Sequence, residues 1–211
     1  MNRKRIILRF LCAALLLYSP WKTAKRTEAY RQEIACLESY FRPDDVFSEK
    51  NQEAARPFSD LWDACEAYNR LLLETNQESI SVQTMEDAPV RLADYGWQAE
   101  AFGYLSIPAI DLEAPIYLGA SEENLERGGA VVGQTSLPIG GENTHCTIAG
   151  HRSWRGAVLF RPVEKLLPGD LVLVTNPWKT LTYEVVEIKV VEAVVWILVC
   201  PNSCCTVLEK T

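Results

Sequence analysis

Residues 136–152 read SLPIGGENTHCTIAGHR, and this segment holds both histidines of the chain, His145 and His151. The run at residues 147–149 is typical of a buried strand, which places His151 at a strand end, where sites are commonly built. Gly150 permits close backbone approach just before that side chain. An imidazole in this position can titrate near neutrality and exchange a proton with a thiol. Although a lone histidine is more often structural, these features together predict His151 as a site residue.

Short apolar runs lie on both sides of this segment, separated by Gly, Pro and Asn. Runs of this length with turn residues between them are typical of a β-barrel or a β-sandwich. The sequence therefore predicts a mainly β domain. Its expected strands cover residues 104–108, 114–119, 131–133, 147–149, 171–174 and 182–186.

Two amphipathic helices are predicted before the strands, at residues 27–42 and 59–75. In the first, Tyr30, Ile34, Leu37 and Phe41 recur at helical spacing; in the second, Leu61, Cys65, Tyr68 and Leu72 do the same. Ser59 is a candidate N-cap of the second helix. The polar stretch at residues 76–95 is predicted to be a loop or a flexible cover.

A basic cluster followed by an apolar run opens the chain. Residues 6–21 are apolar except for Arg9, and basic residues stand on both sides. The run of about 16 residues gives roughly 24 Å of helix, which is short for a bilayer core of about 30 Å unless Arg9 and Lys22 snorkel. Because no small-residue cleavage site follows, we expect an uncleaved anchor with the domain outside.

Composition narrows the classes of function. The net charge of -7 and the pI near 5.0 argue against binding to nucleic acid, which usually needs a basic face. Seven scattered cysteines and two histidines do not form an ordered set of zinc ligands, so we expect neither a metal nor another cofactor.

Several motifs together resemble the sortase family, in particular its pilin-type class C. The similarity extends over residues 103–192. It rests on the opening-strand pattern IP.I....PI, the L..G.G segment, the LP.GG.NTH..I.GHR signature and the LF..L..L..GD turn, which stand here at residues 107–117, 125–130, 137–152 and 159–170.

The resemblance implies a cysteine transpeptidase. A thiol attacks a backbone carbonyl in an LPXTG-like sorting signal, and an amine from a pilin lysine or a cell-wall precursor resolves the thioacyl-enzyme. His151 is the implied acid–base partner, and an arginine is implied to steady the developing oxyanion. The implied partners are surface proteins or pilins at the membrane of a Gram-positive-type envelope.

The sequence departs from the family pattern after Glu192. Family members place the cysteine further from the histidine, whereas Cys200 follows His151 by only 49 positions, and no arginine follows Arg161. Three of the seven cysteines stand in the last twelve residues. Two explanations stay open: a frameshift or truncated gene after Glu192, or an internal deletion that keeps Cys200 as nucleophile.

These observations predict a sortase-like β-barrel with an N-terminal helical extension, the barrel being incomplete and left with an unpaired edge. The expected catalytic residues are His151 and, conditionally, Cys200. The function expected is that of a sortase-like transpeptidase, inactive or impaired in this chain; the alternative is a non-catalytic, membrane-anchored binding module. The predicted parts are an anchor at 1–26, a helical extension with a lid-like loop at 27–100, the barrel at 101–192 and a divergent tail at 193–211.

Overall fold

Six strands between residues 103 and 190 form a curled half-barrel. The computed structural model describes residues 3–40, 58–75, 82–155, 157–190, 195–200 and 204–209. In chain order the strands are β1 Gly103–Ile107, β2 Leu112–Leu118, β3 Gly129–Val131, β4 Cys146–Gly150, β5 Ser153–Trp154, β6 Ala157–Val158, β7 Leu171–Thr175, β8 Thr180–Val190, β9 Val195–Cys200 and β10 Cys204–Glu209. The half-barrel comprises β1–β4, β7 and β8, while β5 and β6 form a separate hairpin.

The six strands pair mainly with antiparallel neighbours. β1 pairs antiparallel with β2 and with β7, β7 pairs antiparallel with β8, and β2 continues through β3 to β4. Leu105 and Ile107 of β1 point into the core and are fully buried, as is Val185 of β8. The predicted mainly β, sortase-like architecture with helices at its N-terminal side is confirmed.

Two further strands come from the tail beyond residue 192. β9 pairs antiparallel with β4 on one side and with β10 on the other, and β10 pairs parallel with β8. The ring of paired strands therefore closes through β9 and β10. The half-barrel of residues 101–192 is incomplete by itself, as expected, but the expected unpaired edge is wrong because the tail strands pair with it.

In the described residues four α-helices accompany the sheet: α1 Arg3–Tyr40, α2 Ser59–Glu74, α3 Val82–Glu86 and α4 Glu122–Arg127. Short 3-10 helices lie at Leu92–Tyr95, Pro108–Ile110 and Arg161–Lys165. α1 runs without a break through Arg26 and buries Tyr30, Ile34 and Leu37, the predicted apolar face; Phe41 lies outside the described residues. Within the described part of the chain, no helix combines the length and apolar character needed to cross a membrane.

The second helix differs in two details from its sequence pattern. Phe58, in the left-handed region at φ 54, occupies the N-cap position of α2, and the hydroxyl of Ser59 lies 3.3 Å from the carboxylate of Asp60. The predicted cap at Ser59 is therefore wrong. On the inner face Asn69 is buried beside the apolar residues, while Tyr68 is only half-buried.

A cover formed by residues 82–97 lies against the edge of the half-barrel. The carbonyl oxygen of Met85 accepts hydrogen bonds from Ala120 N at 2.8 Å and Gly133 N at 3.0 Å. A Cβ on Gly133 would lie 1.9 Å from the carbonyl oxygen of Thr84, so the contact requires glycine there. Trp97 is 1% exposed and donates from Nε1 to the carbonyl of Ala101 at 2.9 Å. The part of the predicted loop at 76–95 that the structure describes is thus an ordered cover with two short helices.

Candidate active site

His151 directly follows the last residue of β4, as the sequence predicted. The ring of Phe160 packs so closely against the backbone before it that a Cβ on Gly150 would lie 2.5 Å from Cδ2 of that ring. The amide of Phe160 donates a hydrogen bond to the carbonyl oxygen of His151 at 3.1 Å. Phe160 itself is 1% exposed. Its ring, packed against Gly150, and its amide, bonded to His151, therefore both hold this part of the backbone against the core.

The surroundings of His151 favour its neutral form. The side chain is half-buried, its Nε2 atom is shielded from solvent, and this burial lowers the pKa of His151 from its ordinary value of 6.5. Glu126 and, to a smaller extent, Glu122 act in the opposite direction, because a nearby negative charge stabilises imidazolium. Burial is the largest of these effects, so at neutral pH the imidazole is unprotonated and chemically suited to accept a proton.

Charged residues surround this end of β4. Arg152 pairs with Glu164 at 2.5 Å, and Arg155 approaches Glu126 at 3.5 Å. Glu126 thus influences His151 and also pairs with a cation. Sequence reasoning missed Glu122 and Glu126 as neighbours of the histidine. Their i, i+4 spacing in α4, behind the N-cap Ser121, was the available signal, because residues so spaced share one helix face.

The opposite end of β4 is attached by buried neutral hydrogen bonds. Asn69 accepts from Leu137 N at 2.7 Å and donates to the carbonyl of the same residue at 3.2 Å. Asn176 donates to the carbonyl of Pro138 at 2.9 Å. Ser136 N donates a hydrogen bond to the carbonyl oxygen of His145 at 2.8 Å, and His145 N donates one to the hydroxyl oxygen of Ser136 at 3.0 Å. His145 and His151 therefore lie at opposite ends of β4.

A cavity of about 310 Å³ lies at this second end. α2 contributes Trp62, Arg70 and Leu73, and the loop before β4 contributes residues 139–144. Lys179 closes one side, with its Nζ 5.6 Å from the centre of the Trp62 ring. Neither this cavity nor the buried asparagines that hold its loop were predicted from the sequence.

The strand register separates the two predicted catalytic residues. In the antiparallel pairing of β9 with β4, Val195 is opposite Gly150 and Val199 is opposite Cys146. The backbone of Cys200 therefore lies beside the start of β4, whereas His151 follows its end. At about 3.4 Å per residue the two positions are roughly 20 Å apart along the strand, so the structure does not bring them together.

No other ligand set stands out in the described residues. Cys146 is buried at the start of β4, at the same end as Cys200 and remote from His151. Among residues that the structure describes, no group of three His, Cys, Asp or Glu side chains is arranged to hold a metal ion. Arg161, the last arginine of the chain, begins the 3-10 helix Arg161–Lys165 and lies 3.8 Å from Glu164.

Comparison with known proteins agrees with the fold. The family model described as the sortase domain matches residues 105–206. This match continues past Glu192, where the sequence resemblance was expected to stop, and it includes Cys200. Sortase D of Bacillus subtilis (strain 168) is 28% identical over 124 residues, which cover 58% of this chain and 60% of that protein.

Solved structures of sortases also superpose on this chain. The crystal structure of Streptococcus pneumoniae sortase C is 29% identical and superposes with a TM-score of 0.54 over 72% of each chain. The lid mutant of Streptococcus agalactiae sortase C1 is 31% identical, with a TM-score of 0.51 over 66% of this chain and 71% of that one. A curled sheet with a histidine behind its fourth strand thus defines a sortase-type barrel. The chain belongs to the sortase family, and its structural neighbours are of the pilin type.

Proposed function

We propose that this chain carries the histidine half of a sortase-type cysteine transpeptidase and does not complete the reaction as it stands. In the full reaction a cysteine thiolate attacks a carbonyl of an LPXTG-like sorting signal, and a pilin lysine or a cell-wall amine resolves the thioacyl-enzyme. The substrate class comes from the neighbours: the Streptococcus pneumoniae structure is described in terms of catalysis and pilin substrate specificity.

His151 is the acid–base residue of this proposal. Burial lowers its pKa, so that it is neutral when it must take a proton from the thiol. The nearby carboxylates of Glu122 and Glu126 then favour the imidazolium that forms, which must return its proton to the leaving amine. Family membership supports this role, and so does the position of His151 directly behind β4.

The proposal that the chain does not complete the reaction rests on the antiparallel register of β9 against β4. A nucleophile and its base must approach to about 3 Å. The backbone of Cys200 is instead at the end of β4 where Val199 pairs with Cys146. We therefore expect Cys200, the only cysteine suggested as nucleophile by the sequence, to form no productive pair with His151.

Turnover of a quenched LPXTG-type peptide, with a primary amine present, tests the loss of activity. The Streptococcus pneumoniae relative serves as the positive control. We expect cleavage by the full chain to be no faster than cleavage by its Cys200→Ala variant. Cleavage that is abolished by Cys200→Ala would show instead that the chain is an active enzyme using that thiol.

A chimaera tests the role of His151 separately. Residues 191–211 are replaced by the segment of the Streptococcus pneumoniae relative that follows its equivalent strand. We expect this chimaera to gain cleavage that His151→Ala lowers by at least a hundredfold, within the range typical of general acid–base catalysis. His145→Ala, at the other end of the same strand, is the matched control and should keep most of the activity. Equal losses in the two variants would contradict the proposal.

A non-catalytic binding module is the second candidate function. One observation favours it: β9 and β10 close the ring of strands, so the fold is continuous without a catalytic pair. Fluorescence anisotropy with a labelled sorting-signal peptide distinguishes the candidates. Saturable binding without cleavage, lost on scrambling the peptide, supports the module; no binding at any peptide concentration up to solubility removes it.

We further propose that the protein acts at the outer face of a Gram-positive-type envelope, in keeping with its family. The anchor assigned to residues 1–26 stays a prediction. Fractionation of cells that express the full chain or a chain without residues 1–26 checks it. We expect the full chain in the membrane fraction and the shortened chain outside it; identical distributions would contradict the anchor.

A further inference from the structure

Two cysteines of the tail lie directly opposite each other across the β9–β10 hairpin. In the antiparallel register Cys204 pairs with Cys200, and only residues 201–203 connect the two strands. Directly opposed residues in an antiparallel pair have Cα atoms about 4.5–5.5 Å apart. Disulfides span Cα separations of about 4.4–6.8 Å. We propose that Cys200 and Cys204 form a cross-strand disulfide.

The same register argues against two other pairs that the tail offers. Cys146 of β4 and Cys205 of β10 are both opposite Val199, so a whole strand lies between them. Two strand spacings amount to about 9.5 Å, beyond the roughly 7 Å at which bridging becomes impossible without backbone movement. Cys204 and Cys205 are consecutive in a strand, where neighbouring positions lie on opposite faces.

The two cysteines of the helices are poor competitors. Cys36 lies on α1 and Cys65 on α2, and both are thiols outside the hairpin. Cys65 is fully buried, and this burial raises its pKa to about 12. Because the thiolate is the reactive species in disulfide exchange, Cys65 reacts slowly at neutral pH. Cys36 is exposed, so it provides an internal reference for a reactive but unpaired position.

Oxidation of the pair needs an oxidant of the disulfide class, such as oxidised glutathione. The thiolate of one cysteine attacks the glutathione disulfide and releases one glutathione thiol. The second cysteine then attacks the mixed disulfide, releasing a second glutathione thiol and leaving the Cys200–Cys204 bond. The protein loses two electrons and two protons, and the oxidant gains both.

The disulfide would make Cys200 unavailable as a nucleophile, but the inference goes beyond the proposed function. It depends on the strand register alone and holds whether or not any peptide is cleaved. Exchange with a thiol reductant would return both thiols, so the hairpin would respond to the redox state around the protein. A transpeptidation assay run in thiol reductant, which keeps Cys200 as a thiol, therefore tests the proposed function separately from disulfide mapping.

Disulfide mapping of the full chain tests the pair. The folded protein is equilibrated with oxidised glutathione, quenched with acid, alkylated in denaturant and digested. We expect Cys200 and Cys204 to carry no alkyl group and to be lighter together by two hydrogen atoms than in the reduced chain, while Cys205 of the same peptide carries the alkyl group or glutathione. Cys36 should remain open to alkylation or carry glutathione. Reduction before alkylation should make both hairpin cysteines react.

Two variants and one control complete the design. Cys205→Ser should leave the bond intact, and Cys204→Ser should leave Cys200 open to alkylation or to a glutathione adduct. Oxidation in denaturant should distribute bonds over several pairs, whereas the folded chain should give one. Full alkylation of Cys200 in the oxidised folded wild type, a bond to Cys205, or the same scrambled pattern with and without denaturant would each overturn the proposal.

Discussion

The two ends of strand β4 are held in different ways. At the end that begins with Cys146, the preceding loop is attached through the buried amides of Asn69 and Asn176, which are 8% and 2% exposed. At the end that precedes His151, the contacts are the ring of Phe160 and half-exposed ion pairs such as Arg152–Glu164. Neutral buried bonds define one position of the chain, whereas exposed charges respond to solvent and to a ligand.

This difference explains why the proposed chemistry belongs to one end only. A general base must change its charge during a reaction, which is costly among buried neutral groups but less so beside carboxylates such as Glu126. At the end that begins with Cys146 the backbone itself must be fixed, because the loop at residues 136–145 must enter β4 in register. We therefore expect mutations at the two ends of β4 to differ in their effect on the free energy of unfolding.

The largest effect is expected for Asn69→Ala at the Cys146 end. The change removes the hydrogen bonds to the N–H of Leu137, at 2.7 Å, and to its carbonyl, at 3.2 Å, and Leu137 is only 1% exposed. Two unsatisfied buried groups should lower the free energy of unfolding by on the order of 2–4 kcal/mol. Urea denaturation followed by circular dichroism measures the change.

Arg70→Ala is the matched control, since it removes an exposed side chain at the next position of the same helix. We expect it to change the free energy of unfolding by no more than about 0.5 kcal/mol. If Asn69→Ala has an equally small effect, the buried amide does not hold the loop, and the comparison between the two ends fails at this point.

A smaller effect is expected for Gly150→Ala at the His151 end. The added Cβ would lie 2.5 Å from the Phe160 ring, so the ring or the strand must move. Overpacking of this kind should lower the free energy of unfolding by about 1–3 kcal/mol. In the Phe160→Leu background the same change should cost less, because the ring atoms are absent. Equal costs in the two backgrounds, measured as a double-mutant cycle, would show that the ring is not the obstacle.

Sequence alone was sufficient for the half-barrel and for the position of His151. The strand predictions at residues 104–108 and 171–174 agree with β1 and β7 because alternating burial leaves a local pattern in the chain. The position of His151 at the end of a strand was predictable because a glycine and a short apolar strand precede it. In both cases the signal lies within a few consecutive residues.

The pairing of the tail could not be read in the same way. Nothing local in residues 195–209 specifies that β9 pairs antiparallel with β4 and β10 pairs parallel with β8, because the choice depends on which sheet edges are open in three dimensions.

Asn69 was missed for a related reason. From the sequence, a side-chain amide on a helix is expected to face solvent. Burial of Asn69 depends on its hydrogen bonds to Leu137, which lies 68 positions away in the chain, and no local pattern indicates that contact.

The smallest expected effect concerns the two histidines, one at each end of β4. Burial lowers the pKa of both His145 and His151 below 6.5, but only His151 has carboxylates, Glu126 and Glu122, acting against the shift. Glu126→Gln should therefore lower the pKa of His151 further and leave that of His145 unchanged. NMR titration of the imidazole resonances measures both values in one sample, and an equal shift in both would contradict the assignment of Glu126 to the His151 end.

The sign of the linked stability change follows from these directions. Each histidine binds a proton less readily in the folded protein than in the unfolded chain, so the unfolded state is favoured as protons bind. The contribution of the neutral histidines is fully present above a pH of about 6.5 and is lost as the pH falls from there through the lower pKa values of the folded protein. Glu126→Gln should steepen this loss through His151, while His145→Gln should make it shallower. The two ends of one strand would then be distinguished by opposite changes in the same pH profile.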